Sequence, residues 1–183
     1  MDILALYRQA GALLEGHFLL RSGRHSPTFL QSTTLMQHPL LAEQVAQALA
    51  DQFRQQRIGF VIGPAMGGVV LAFLVARALG ARALFAEKRP QGGMEVREGL
   101  EIAQGEPFLA VEDVLTTGGS VLQAIEAAQR RGGVCVGVGA LIDRSQGQAQ
   151  LGVPLRSVTQ LEVASYQPDQ CPLCQAGQPL QEV

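Results

Sequence analysis

The passage from Phe108 to Ser120, Phe-Leu-Ala-Val-Glu-Asp-Val-Leu-Thr-Thr-Gly-Gly-Ser, restricts this chain more than any other. Phe108 to Val111 is an apolar run with the length of a buried parallel strand, and Gly119 to Arg131 has helical spacing through Val121, Ile125 and Ala128. Between them lies a polar turn. Gly118 and Gly119 permit positive φ and close approach of a ligand, and the first helical turn leaves its N–H groups without partners. With the hydroxyls of Thr116, Thr117 and Ser120, they make a cradle for an anion at the positive end of a helix. Glu112 and Asp113 stand just before it, placed to hold sugar hydroxyls or a metal. A phosphate beside a diol suggests a ribose phosphate. A Walker A loop is excluded because no Gly-Lys-Ser/Thr follows the glycines, and no Gly-x-Gly-x-x-Gly dinucleotide fingerprint follows a strand.

The rest of the chain reads as scaffold for that passage. Its 183 residues, 47% hydrophobic, suit one domain of an α/β protein, with a hood over about 1–35, a core over about 36–165 and a Cys-containing tail over about 166–183. A net charge of -2 with dispersed basic residues disfavours nucleic acid as a partner. No signal peptide or membrane-spanning run is expected, which points to the cytoplasm. Ile3 to Leu14 reads as an amphipathic helix, and Phe18 to Leu30 as two extended runs around a Gly-containing turn. Pro39 to Gln56 is a helix with Leu40, Leu41, Val45, Leu49 and Phe53 on one stripe. Phe60 to Ile62 begins the core sheet, and Gly63-Pro64-Ala65-Met66-Gly67-Gly68 delivers it to a helix through Leu79; such a turn offers backbone N–H donors to an anion, or serves packing alone. A strand over Ala83 to Ala86 precedes a charged, glycine-rich protrusion with the only lysine, Lys88, and Arg89; Met94 to Ile102 alternates as a hairpin would. Val134 to Ile142 is a long strand ending at Asp143-Arg144, where Arg144 either meets a ligand at a strand end or pairs with Asp143. Gly152 to Val163 adds one or two strands. Cys171-Pro-Leu-Cys174 is half of a four-ligand zinc site with no second cysteine pair, which leaves free thiols or a tail turn, a disulfide, or a metal shared between subunits.

The Phe108–Ser120 passage resembles the diphosphoribose signature of type I phosphoribosyltransferases, and Ser22-Gly-Arg-His-Ser-Pro27 followed by Phe29-Leu30 resembles the hood of the orotate phosphoribosyltransferases. The resemblance implies a parallel sheet flanked by helices with a small N-terminal hood, transfer of ribose 5-phosphate from 5-phosphoribosyl 1-diphosphate to orotate, Mg²⁺ as cofactor, and a homodimer with shared sites. It places Ala65, Met66, Gly67 and Gly68 on the diphosphate and Thr116, Thr117, Gly118, Gly119 and Ser120 on the 5′-phosphate, with Val114 and Leu115 also among the substrate-binding residues. Glu112 and Asp113 fall to the ribose hydroxyls, Thr116 and Arg144 to orotate, and Arg21 to a position where the family commonly has a lysine facing orotate and the diphosphate. Lys88, with Arg89 and Arg97 as helpers, corresponds to a mobile loop that reaches a neighbouring site. The loop departs from the family in lacking a further lysine and a histidine. The alternatives are a purine phosphoribosyltransferase, which the hood and Arg144 disfavour, and a non-catalytic nucleotide-binding regulator of nucleic acid, which needs a basic face that the charge does not offer.

Overall fold

A computed structural model describes residues 2–20 and 22–182; Met1, Arg21 and Val183 lie outside the described residues. The chain begins with α1 (Ile3–Gln9), β1 (Leu13–Leu19), β2 (His25–Leu30), α2 (Ser32–Met36) and α3 (Pro39–Asp51). The core follows as β3 (Phe60–Pro64), α4 (Gly67–Leu79), β4 (Arg82–Lys88), β5 (Met94–Val96), β6 (Pro107–Leu115), α5 (Gly119–Gln129), β7 (Val134–Asp143) and β8 (Leu155–Gln160). A short α6 (Pro172–Gln175) and β9 (Gln181–Glu182) close the chain.

Six strands form the main sheet in the order β5-β4-β3-β6-β7-β8, parallel except for β5, which pairs antiparallel with β4. Period-two alternation fixes what each face buries. Val61, Leu109 and Val111 join α1, α3 and α4 on one side, while Phe60, Ile62, Phe108 and Ala110 join α5 on the other. Phe60 and Phe108 stack across the β3–β6 boundary at 4.9 Å between ring centroids. After β3 the chain turns outward through α4 to β4, and after β6 it turns the other way through α5 to β7. The carboxyl ends of β3 and β6 therefore flank the point where the winding reverses, the place where open α/β sheets bind ligands.

A second sheet, ordered β2-β1-β9, forms the hood; β1 and β2 are antiparallel, and β9 adds to β1 in parallel through Phe18 opposite Gln181 and Leu19 opposite Glu182. The tail thus contributes a strand to the N-terminal sheet. Elsewhere the boundaries move for local reasons. The Asp2 carboxylate accepts from the Ala5 N–H at 3.1 Å and caps α1, but Gly11 at φ +66° ends that helical path, so Leu14 belongs to β1. Beyond Asp51, Phe53 and Gln56 bond back to Ala50 and Phe53 in successive turns, shortening the helix expected to reach Gln56. Leu40 departs from its apolar stripe and is 76% exposed. Only Met94–Val96 of the expected 94–102 hairpin forms a strand, and its partner is β4. Gly152 to Val163 supplies the single strand β8. Among the described residues no helix is long and apolar enough to cross a membrane.

Candidate active site

The carboxyl ends of β3 and β6 open into a cleft of about 930 Å³, walled on one side by the hood. Glu112 and Asp113 are consecutive on β6, so they project to opposite faces of the strand and still both line the cleft. Asp113 faces α4: a Cβ built on Gly67 would lie 3.5 Å from its Oδ2. Glu112 is half-buried on the other face, where desolvation, reinforced by the negative charge of Asp113, pushes its carboxyl up to about 7.

The first glycine-rich turn owes its shape to backbone proximity. A Cβ on Gly63 would stand 2.2 Å from the Gly68 carbonyl oxygen, and one on Gly68 would stand 2.7 Å from Pro64 Cδ. The turn is closed tightly enough that only glycine fits either position. It presents Ala65, Met66, Gly67 and Gly68 to the cleft, with the Ala65–Met66 peptide cis and Met66 81% exposed. The second turn opens α5 with Gly118 at φ +79°, and Thr117 Oγ1 accepts from the Gly119 N–H at 3.4 Å. Val114 and Ser120 line the cleft. Thr116, Thr117 and Gly119 are exposed on the turn between them, whereas Gly118 and Leu115 are buried. Leu115 serves the core rather than a ligand.

Lys88 ends β4 and lines the same cleft as Glu112 and Asp113 of its own chain. Its neighbours are engaged elsewhere. Arg89 Nε donates to the Gly92 carbonyl at 3.2 Å across the hairpin turn, and Arg97 forms a 2.8 Å ion pair with Glu87, so Arg97 is not a free helper. The hairpin base is fastened down as well: Met94 and Val96 are buried against α5, and Arg130 and Arg131 donate to the Met94 and Val96 carbonyls. Arg144 lies outside the cleft lining, but its backbone N–H donates to the Leu115 carbonyl at 2.8 Å, which seats it beside the second turn. No ion pair between Arg144 and Asp143 occurs among the described residues; Asp143 Oδ1 instead accepts from the Ser145 N–H at 2.8 Å. Burial holds the Arg144 guanidinium below its ordinary value, so an anionic partner would relieve a real cost. Arg21 lies outside the described residues.

Sequence reasoning named the hood but did not single out the residues by which it lines the cleft. Phe29, Gln31, Ser32 and Thr33 line the cleft, as does Glu182 from the tail. Ser32 Oγ is 2.9 Å from the fully buried Tyr7 hydroxyl. Burial pushes the Tyr7 phenol well up against the pull of that hydrogen bond, and Asp113 adds to the rise. A strand leading into a helix at Ser32 was the available signal, but without glycines it carried no mark of a binding turn. The cysteines also differ from an isolated tail pair: Cys171 is buried, Cys174 exposed, both are thiols, and they adjoin His17 and His25 of the hood.

The phosphoribosyl transferase domain family matches residues 31–170. The chain is 63% identical over 183 residues to an orotate phosphoribosyltransferase of Thermus thermophilus, with all of both chains covered. Among solved structures, the orotate phosphoribosyltransferase from Aeropyrum pernix superposes with a TM-score of 0.71 at 29% identity, covering 86% of this chain and 93% of that one. The Mycobacterium tuberculosis orotate phosphoribosyltransferase in complex with 5-phospho-α-D-ribosyl 1-diphosphate gives a TM-score of 0.68 at 26% identity, covering 88% and 97%.

Proposed function

This chain belongs to the orotate phosphoribosyltransferase family, and from that premise we propose a division of labour among its site residues. The activity is transfer of ribose 5-phosphate from 5-phosphoribosyl 1-diphosphate to orotate, giving orotidine 5′-monophosphate and pyrophosphate in pyrimidine biosynthesis. The anomeric carbon gains cationic character as diphosphate departs, so the protein must hold an anion at each end of the sugar and stabilise the charge between them.

The backbone N–H groups of Met66 to Gly68 receive the diphosphate, with Ala65 shaping the turn through its own N–H bond to the Ala86 carbonyl and the Lys88 ammonium beside them to stabilise charge on the leaving group. Thr116 to Ser120, carried on Val114 and Leu115, anchor the 5′-phosphate, a handle far from the breaking bond that fixes the ribose in place. Glu112 and Asp113 accept from the ribose 2′ and 3′ hydroxyls. Asp113 lies beside the diphosphate loop and Glu112 behind it, so the two acids also face the positive side of the reacting ring. Glu112, poised near neutrality, gives up its proton as positive charge arrives. Arg144 and Thr116 take orotate, the guanidinium fork matching its planar carboxylate. Arg21 is assigned a supporting contact to the diphosphate, and Arg89 another through the guanidinium nitrogens other than the Nε bonded to Gly92. Orotate is already acidic, so no nucleophile or strong base is assigned.

Mg²⁺ suits the same acids: oxygen donors on an open cleft wall accommodate an ion that keeps most of its waters. Glu112 and Asp113 would hold the ion, which when bound with the diphosphate would supply charge neutralisation of the leaving group. The observation that supports the reading is one cleft at the winding reversal lined by the Ala65–Gly68 turn, Lys88, Glu112, Asp113 and, at the start of α5, Ser120. A homodimer is supported by apolar side chains left in solvent on α3 and α4, Phe73 at 60% and Leu40 at 76% exposure. We assign the enzyme to the cytoplasm.

The deciding experiment is ultraviolet-monitored consumption of orotate by purified protein with Mg²⁺ and 5-phosphoribosyl 1-diphosphate, with adenine, hypoxanthine and xanthine in parallel. Turnover of orotate alone is expected, and Arg144→Ala should raise KM for orotate while leaving KM for the diphosphate nearly unchanged. An Arg144→Ala enzyme with unchanged KM for orotate would remove Arg144 from the base site.

A further inference from the structure

The hood and the tail bring together four side chains that the transfer reaction does not use. His17, His25, Cys171 and Cys174 place one potential donor atom each within 4.8 Å of all the others. The individual separations are 2.9 Å from His17 Nε2 to His25 Nδ1, 3.5 and 3.7 Å from His17 Nε2 to the Cys171 and Cys174 sulfurs, and 3.3 Å from Cys174 Sγ to His25 Nδ1. Zinc bonds of about 2.3 Å to sulfur and about 2.0–2.1 Å to nitrogen give a tetrahedron with edges of about 3.3–3.8 Å. Three of the sulfur–nitrogen separations already have about that length, the remaining pairs lie within 4.8 Å, and the two nitrogens need to spread from 2.9 Å to admit an ion.

The surroundings favour a metal over a chance polar cluster. His17 Nδ1 lies 2.9 Å from the Gln178 carbonyl oxygen, which can only accept, so the ring proton sits on Nδ1 and the Nε2 lone pair points into the cluster. Metal-bound histidines are held in this way. His25 is fixed by its strand, its backbone N–H and carbonyl both bonded to Tyr166 at 2.9 and 2.8 Å. Cys171 sits immediately before α6, and the Cys-Pro-Leu-Cys spacing brings Cys174 around one turn to the same side. His17, His25 and Cys171 are buried, whereas Cys174 is exposed and leaves an access route for an ion. A donor set of two sulfurs and two nitrogens suits tetrahedral zinc among common metals. A two-iron cluster would hold its sulfur and nitrogen ligands on separate irons; here all four donor atoms lie within 4.8 Å of one another, a single-ion spacing.

We propose that His17, His25, Cys171 and Cys174 bind one zinc ion that fastens the tail to the hood. The pair left without a second cysteine pair finds its complement in two histidines of the same chain, so no partner subunit is needed. The ion would be structural, since four protein ligands leave no open position for a substrate. Its effect on the active site is indirect. The clamped hood supplies Phe29 to Thr33 to the cleft, and the clamped tail supplies Glu182.

The test is metal analysis of the full chain, purified without chelator, exposed to excess zinc and then dialysed. One zinc per chain is expected, with X-ray absorption showing two sulfur and two nitrogen neighbours. Cobalt(II) in its place should give the absorption bands of a tetrahedral dithiolate site. Cys174→Ser alters the exposed ligand and spares the buried ones; it should weaken zinc retention at least as much as the ~10–100-fold cost of losing an outer hydrogen bond to a metal ligand. Wild-type protein that retains no zinc, a Cys171–Cys174 disulfide in freshly purified enzyme, or zinc content unchanged in both Cys174→Ser and Cys171→Ser would each overturn the proposal.

Discussion

Glu112 supports a prediction in which stability and activity move in opposite directions. Burial and the Asp113 charge carry its carboxyl from the ordinary 4.5 to about 7, so the folded chain holds that proton more tightly than the unfolded chain does. The stability associated with the protonated acid is complete below pH 4.5 and is lost as pH rises through about 7. At about 1.4 kcal/mol per pH unit, ionising Glu112 at pH 8 costs the unliganded protein at most about 3 kcal/mol, an upper figure because part of the carboxylate still faces the cleft. Glu112→Gln is neutral at every pH and escapes the cost. For a chain of this length the variant should melt up to about 6–12 °C higher than wild type at pH 8, with the advantage shrinking to about 1 °C at pH 4.5. Thermal unfolding followed by circular dichroism at the two pH values checks this, and activity at pH 8 should fall while the melting temperature rises. A melting difference that is equal at both pH values, or larger in acid, would show that Glu112 ionises in the folded protein as it does in the unfolded one.

Two further outcomes follow from the geometry. Lys88 lines the cleft of its own chain, so Lys88→Ala should slow transfer far more than it weakens orotate binding, and mixed dimers of Lys88→Ala with Arg144→Ala subunits should regain no activity; recovery in the mixture would place Lys88 in the neighbouring site. Gly63→Ala drives a methyl to 2.2 Å from the Gly68 carbonyl, which should cost at least about 1–3 kcal/mol in urea unfolding and weaken diphosphate binding by calorimetry, and unchanged values for both would show that the turn has room to spare.

The parts of the site that were legible in the sequence are those whose chemistry is local. A strand, two acids and a hydroxyl-rich glycine turn occupy thirteen consecutive residues, and β6 with the start of α5 places them as their order implies. The glycine turn after β3 was visible for the same reason. Features made by distant segments were not. His17 and His25 read as ordinary hood residues until β1 and β2 set them beside a cysteine pair more than 140 residues away. Arg97 looked available because nothing in its own stretch shows that the β4–β5 hairpin turns it onto Glu87. Leu14 fitted a helical stripe, yet Gly11 in a left-handed conformation outweighed the fit. Leu40 fitted another and remained in solvent, since an apolar spacing marks a face without stating what covers it.

The parallel pairing of β9 with β1 has a consequence for the order of events on the ribosome. Leu19 waits for Glu182, and His17 for a cysteine 154 residues later. The buried residues of both core clusters all precede β8 in the chain, and domains generally form from the amino end as synthesis proceeds at roughly 5–20 residues per second. The sheet with its two glycine turns therefore has its whole sequence available while the hood, translated first, still lacks an edge strand. The hood strands β1 and β2 precede the main sheet in the chain yet are completed only when β9 follows it. A nascent chain halted after β8 has both glycine turns and Arg144 but lacks Glu182, and should bind the diphosphate before its hood is fastened.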